Sequence, residues 1–495
     1  MSHKITNLKK SFFGAMLFLL FAIVLFPYAK NGFWADDSLN SQTWGMVHRF
    51  DSSVWEFSYR VSRSWFVNSG RILFPWPAIY GFFYVLRDEL AVRLADMALF
   101  IGHIGITVLL LRRVGISWRT VGLFVLILIT LLQIRGAGDP LAAFAGFSQG
   151  LGILLMLSLL LLHKWHETQA SGWLAASSLL AVLSMTCYEI NVVYVPIALM
   201  AVLASKQRRV LRDVAIVVLP FAIFIAANIY VKSIALNPYP GSEFGHMSAV
   251  PETFLKQLFA TLPGSYYALH GHLQYPLPEL LRAASTSKLA WAVMILWSTM
   301  AIMVLRRQST QQPALRMAVF AALMLLLVPP ALISTSVRYQ SELVWGTAHV
   351  PIYYQCFGLA FLAAAAVERL STGKLAKLVT VSVPFIGIGV ALSLTMNMYH
   401  SSRIDAAFRE PRDSLVSALH HGLFDGVRDG DVVRIEGQPI FINGNLIYQV
   451  IGKNVSIPGE VAIAGWFESL PRHDAKLYRL FRDPASNNQW RVQEQ

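Results

Sequence analysis

Two adjacent carboxylates, Asp36 and Asp37, stand in the stretch Trp34-Ala35-Asp36-Asp37, just past the first long apolar run. Carboxylates so close to an apolar medium are costly unless they are paired or put to use. One use is proton abstraction, in which a carboxylate within hydrogen-bond reach takes the proton of a hydroxyl as that oxygen attacks. Only one of two neighbouring side chains is expected to point into a cleft, with the other orienting it. Capping is an equal alternative, because Asp followed by Ser-Leu-Asn also starts helices.

Arg71, in Asn68-Ser69-Gly70-Arg71, falls where a polar segment meets apolar chain. A guanidinium there can neutralise a phosphate through paired hydrogen bonds. It can equally anchor a lipid headgroup or pair with Asp36 or Asp37. Glu189 closes Thr186-Cys187-Tyr188-Glu189 between two apolar runs. It is read as a second cleft carboxylate that binds an incoming hydroxyl, or as the partner of an arginine. Arg338, Tyr339, Glu342 and His349 share one short segment. There Arg338 is a second candidate phosphate ligand, and Tyr339, Glu342 and His349 are candidate contacts for a polar substrate. Trp345 in the same segment reads as an interfacial aromatic. Lys232, near the end of an apolar run, either snorkels or reaches a lipid phosphate. Asp139, before Pro140, reads as turn chemistry.

These residues need a scaffold, and the composition names it. The chain has 495 residues, of which 55% are hydrophobic and 14% charged. A soluble chain carries roughly a quarter charged residues. Apolar runs at 11–28, 91–111, 117–134, 148–163, 171–188, 190–205, 212–234, 288–305, 315–334, 351–367 and 376–396 predict about eleven crossings. The run 72–86 is short and broken by two prolines. If it does not cross, nearly every dense Lys/Arg cluster falls on the inner side, as topology requires. The N-terminus is then cytoplasmic, and the segments 29–90, 135–147, 235–287 and 335–350 are the outer ones. Residues 1–396 form the membrane domain. In 29–90, Trp55, Phe57, Val61, Trp65 and Phe66 recur at helical spacing, which predicts an interfacial amphipathic helix. Beyond 397 the composition changes. Residues 400–423 read as an amphipathic helix, and 431–468 as short strands parted by Glu-Gly, Asn-Gly and Pro-Gly turns. The predicted fold class is an all-α polytopic membrane protein with a small α+β outer-face domain at 397–495.

Several classes are disfavoured. The formal net charge of +13 follows the short inner connections, so nucleic-acid binding is not expected. Cys187 and Cys356 lie in or beside apolar runs and read as packing thiols. No metal site is expected: His246, His270 and His272 lack ligand spacing, and a divalent ion on the acidic pair has little support. No phosphate-binding G-x-x-x-x-G-K motif occurs, and the inner connections have no room for a nucleotide domain.

Trp34-Ala35-Asp36-Asp37 directly after the first apolar run, followed by Gly70-Arg71 before the next apolar piece, resembles the GT-C superfamily of integral membrane glycosyltransferases. Within it, the pattern is similar to bacterial O-antigen glucosyltransferases of the serotype-converting type. The likeness is strongest over residues 10–90. It implies an inner-membrane enzyme with a polyprenyl-phosphate sugar donor, often undecaprenyl-phosphate glucose, used on the periplasmic side. It implies a cell-envelope glycan such as O-antigen as acceptor, Asp36 or Asp37 as catalytic base, and Arg71 at the donor phosphate. Residues 397–495 do not match the serotype-converting pattern, which leaves the acceptor open. A lipid-linked saccharide flippase and an O-antigen-type polymerase are the competing readings.

Overall fold

The computed structural model describes residues 2–135, 139–205, 209–308, 314–371, 373–436, 442–458, 474–483, 486 and 489–495. Helix α1 (Ser2–Ala29) leads into four short helices, α2 (Asp36–Asn40), α3 (Thr43–Arg49), α4 (Val54–Val67) and α5 (Trp76–Val85). Six apolar helices follow: α6 (Glu89–Arg113), α7 (Trp118–Thr130), α8 (Phe147–Thr168), α9 (Ser171–Met185), α10 (Tyr194–Ala204) and α11 (Val210–Ser233). The next segment carries α12 (Val250–Phe259), α13 (His272–Gln274) and α14 (Leu277–Thr286). Then come α15 (Lys288–Leu305), α16 (Leu315–Ser334), the short α17 (Val337–Glu342), α18 (Ile352–Ser371) and α19 (Ala376–Ile404). The chain finishes with α20 (Glu410–His420), β1 (Val432–Ile435), α21 (Gly444–Ile451), β2 (Leu477–Asp483) and β3 (Gln489–Glu494).

Each of the eleven apolar runs is a helix. Seven helices among the described residues are long and apolar enough to cross a membrane: α1, α6, α8, α11, α15, α16 and the helix that begins with α19. The remaining expected crossings differ for physical reasons. Helix α7 has 13 residues, a rise of about 20 Å against a hydrocarbon core of about 30 Å. Helices α9 and α10 are short in the same way. Helix α18 has the length but includes Gln355 and Glu368, both buried. It serves as an internal post, packing on α16 and α7. Helix α5 has ten residues, too short to cross, as the two prolines of the run 72–86 suggest.

One apolar core runs through the bundle, with Leu20, Phe100, Phe124, Leu155, Trp165, Tyr194 and Trp297 buried in it. Helix α4 is amphipathic as predicted. Its Phe57 and Val61 pack on Tyr80 of α5, while Trp55 and Tyr59 stay exposed.

The C-terminal part has its own core, which includes Leu415, Phe424, Val433, Ile447, Leu480 and Trp490. Its sheet has the order β1-β2-β3, with β1 parallel to β2 and β2 antiparallel to β3. Two expectations are corrected. The helix expected at 400–423 is continuous with α19 through a π-helical turn, Asp405–Arg409. Asn443-Gly444 is no hairpin turn: the Asn443 side chain accepts the amides of Asn445 and Leu446 and so caps α21. Capping there overrides the strand preference of the Ile and Val residues that follow. The Glu436-Gly437 and Pro458-Gly459 turns extend onto residues 437 and 459, outside the described residues. The two longer strands lie nearer the C-terminus than expected, at 477–494.

This C-terminal part sits directly on α3. Arg49 is buried there. Its Nε donates to Asn454 Oδ1 at 2.9 Å, Nη1 to Asn445 Oδ1 at 3.0 Å, and Nη2 to the Val455 carbonyl at 2.7 Å. Gly45 makes the approach possible, since a Cβ at that position would fall 2.2 Å from the Asn445 carbonyl oxygen. The short loop that bears the acidic pair is therefore held from its far end by residues 445–455.

Candidate active site

After α1 the chain bends sharply. Ala35 has φ +50°, a conformation that costs an L-residue roughly 1–3 kcal/mol and persists only where surroundings enforce it. The bend opens α2 with Asp36 and Asp37 in different environments. Asp37 is 1% exposed. Its Oδ2 lies 3.0 Å from Arg93 Nη1, and its Oδ1 accepts the Ala145 amide at 3.0 Å. Burial pushes its pKa up to about 6, against the pull of Arg93 and that amide. Asp36 is exposed to a cavity of about 720 Å³. Its carboxylate makes no hydrogen bond and no ion pair to any described residue. The protein around it raises its pKa, and Arg338 opposes that rise.

Arg71 reaches the cavity from an extended segment laid along the end of α11. The Asn237 amide donates to the Asn68 carbonyl at 2.8 Å, and the Tyr239 amide to the Ser69 carbonyl at 3.0 Å. Gly70 has φ +68°, and a Cβ there would meet Lys232 Cα and Ala235 Cβ at 2.8 Å. A glycine is required by both the backbone angle and the contact. Arg71 Nη2 bonds both Glu189 carboxylate oxygens, at 2.8 and 2.6 Å, and Nε bonds Oε1 at 3.2 Å. Against the lowering effect of burial, Glu189 holds the guanidinium above its ordinary pKa. Arg71 Nη1 makes no hydrogen bond to a described residue, so its protons are available to a ligand.

Tyr239 bridges the two arginines. Arg71 lies over its ring at 4.9 Å and Arg338 at 5.6 Å, and Arg338 Nη1 donates to its hydroxyl. Arg338 Nε donates to Glu342 Oε1 at 2.8 Å. Burial opposes charge on Arg338, but Tyr239 and Glu342 raise its pKa above the ordinary value. Nearby, the His349 ring packs edge-on against Tyr339 at 4.5 Å. Burial lowers the His349 pKa to about 4, so it is neutral at pH 7. Its Nδ1 is buried without a hydrogen-bond partner among the described residues. Trp65, Trp76 and Tyr80 form a stacked aromatic wall, at 5.9 and 5.5 Å between successive rings.

Seven of the residues singled out in the sequence therefore line one cavity: Asp36, Asp37, Arg71, Arg338, Tyr339, Glu342 and His349. Glu189 stands behind Arg71 as its ion-pair partner and does not itself line the cavity. Lys232 does not line it either; its ammonium lies 5.9 Å from the Phe244 ring. Asp139 serves turn chemistry, accepting the Leu141 and Ala142 amides, both at 3.0 Å. Trp345 lies outside the cavity lining, packed against Phe259. Among the described residues no group of three or more metal-ligating side chains occurs. Arg93 and Tyr239 went unmarked in the sequence. A signal for Arg93 was present: an arginine one helical turn before Asp96, inside an apolar run.

No known family's sequence profile matches the chain, and no curated protein does. The crystal structure of ArnT from Cupriavidus metallidurans bound to undecaprenyl phosphate aligns with 96% of this chain and 93% of that chain. The identity is 14% and the TM-score 0.39. A likeness at that level carries no functional argument.

Proposed function

We propose that the chain is a membrane glycosyltransferase. It moves a hexose such as glucose from a polyprenyl-phosphate donor to a hydroxyl of a cell-envelope glycan, on the outer face of a bacterial inner membrane. The observation that carries this reading is one unengaged carboxylate, Asp36, sharing a cavity with the two arginines Arg71 and Arg338. The resemblance of Trp34-Ala35-Asp36-Asp37 and Gly70-Arg71 to the GT-C pattern supports it.

The chemistry follows from those groups. The acceptor hydroxyl gives its proton to Asp36 while its oxygen bonds to the anomeric carbon. The bond from that carbon to the phosphate oxygen breaks on the opposite side, and the configuration inverts. Polyprenyl phosphate leaves with the electron pair. A phosphate leaving group needs cations rather than a proton, and fixed donors stabilise its growing charge without reorganising. Arg71 Nη1 and the Arg338 guanidinium are those donors. Glu189 and Glu342 moderate their charge and hold their planes. The Trp65–Trp76–Tyr80 wall offers aromatic surface to a sugar, and neutral His349 lines the same cavity. The reading requires neither a metal nor an organic cofactor.

The test is transfer of label from a radiolabelled polyprenyl-phosphate hexose to a cell-envelope acceptor, in membranes carrying the chain. Transfer to the acceptor supports the reading. Movement of the labelled lipid across the bilayer without transfer makes the chain a flippase and overturns it.

A further inference from the structure

Arg93 has no part in the chemistry above, yet its guanidinium ties together three segments around the site. It is 0% exposed. Nε donates to the Gly32 carbonyl at 3.0 Å, Nη2 to the Ala142 carbonyl at 3.0 Å, and Nη1 pairs with Asp37 Oδ2 at 3.0 Å. Gly32 precedes the bend at Ala35, Asp37 follows it, and Ala142 belongs to the loop that enters α8. That loop is fixed twice more, by the Ala145 amide on Asp37 Oδ1 and the Gly146 amide on Asp96 Oδ1 at 2.8 Å. Arg93 and Asp96 lie one turn apart on α6, so a rigid helix supplies the reference frame.

We propose that Arg93 is the positioning residue of this site: it draws Asp37 inward, where it is buried, and so leaves Asp36 as the exposed carboxylate of the pair. The inference rests on the proposed role of Asp36 as base. Neighbouring side chains at a helix start diverge, so fixing Asp37 fixes the direction of Asp36. The anchor must be an arginine. Lysine can match the Asp37 charge, but it cannot also donate to the Gly32 and Ala142 carbonyls from one rigid plane. The strained angle at Ala35 is what such an anchor would have to enforce.

The test uses the full-length protein in detergent with three variants, Arg93→Lys, Asp36→Asn and Arg93→Gln/Asp37→Asn. Arg93→Lys is expected to fold and to bind donor with a KM within about threefold of wild type, while kcat falls about 100-fold, the scale of a misplaced catalytic group. The double variant removes both charges and keeps the Ala145 amide bonded but also lacks the planar fork, so its kcat is expected to fall as in Arg93→Lys. Carboxylate labelling by a water-soluble carbodiimide, mapped by mass spectrometry, gives a readout independent of turnover. Asp36 is expected to label and Asp37 to be protected in wild type, with Asp37 labelling as well in Arg93→Lys. Wild-type kcat in Arg93→Lys, failure of that variant to fold, or unchanged protection of Asp37 overturns the proposal. If Asp36→Asn transfers like wild type, the base assignment fails instead, and the labelling pattern alone decides whether Arg93 sets the direction of the pair.

Discussion

Replacing Arg49 with methionine keeps an apolar stem and removes the guanidinium donors at the contact between α3 and the C-terminal part. Three acceptors lose their partner: Asn454 Oδ1, Asn445 Oδ1 and the Val455 carbonyl, now bonded at 2.9, 3.0 and 2.7 Å. Hydrogen bonds from a charged donor are worth roughly 1.5–3 kcal/mol each, which sets an upper limit near 9 kcal/mol. The three share one side chain, and water enters the opened groove, so a net loss of about 3 kcal/mol is the working figure. Amides of α3 and α21 that exchange through separation of these surfaces should then exchange about 150-fold faster. Amides of α15 and α19, remote from the contact, should not change. Hydrogen exchange by mass spectrometry on the detergent-solubilised protein resolves both sets. Equal exchange of α3 and α21 in wild type and Arg49→Met would refute the idea that this arginine holds the C-terminal part onto the acidic loop.

The base must be ionised, and the Asp36 pKa is raised, so transfer should fall with acid at a pH above the ordinary aspartate range. Arg338 lowers that pKa, so Arg338→Gln should move the acid limb of kcat to higher pH; a fixed limb contradicts the coupling. Gly70→Ala places a Cβ against Lys232 and Ala235 at a backbone angle that disfavours it. It should cost about 2–3 kcal/mol of stability, read as a lower midpoint in a thermal scan, and an unchanged midpoint contradicts the close packing. Chelator treatment should leave transfer unchanged, because Asp37 is committed to Arg93 and the Ala145 amide, which leaves Asp36 as a lone carboxylate. Loss of transfer restored by a divalent cation would contradict this.

What the sequence made legible was governed by local pattern. The eleven apolar runs, the amphipathic Val54–Val67 and the noncrossing 72–86 follow from hydropathy, period and proline placement. The adjacency of the two acidic residues made legible that their side chains would meet different surroundings, and Asp37 is buried while Asp36 is exposed. Three-dimensional pairing was harder to read. Glu189 and Arg71 are 118 positions apart, and nothing local says that their charges meet. Lys232 was drawn to the site by its place at a helix end, yet Gly70 packs on its backbone while its ammonium turns to Phe244. Arg93 was hidden inside an apolar run, where its role depends on carbonyls from Gly32 and Ala142. At Asn443-Gly444 the local signal was ambiguous, because the same dipeptide serves a hairpin turn or, as here, a helix cap.

The central claim is that Asp36 takes the acceptor proton, and Asp36→Asn tests it most directly. The substitution is isosteric, and the Asp36 carboxylate makes no hydrogen bond or ion pair to any described residue, so folding and donor binding should match wild type. Loss of a general base is worth about 10²–10⁴-fold in rate, or roughly 3–5.5 kcal/mol of barrier. The measurement is single-turnover transfer from labelled polyprenyl-phosphate hexose at matched protein levels, with donor binding measured alongside. A rate loss in that range with donor binding intact is the predicted result. Transfer within about threefold of wild type would contradict the account and leave Asp36 without a catalytic role.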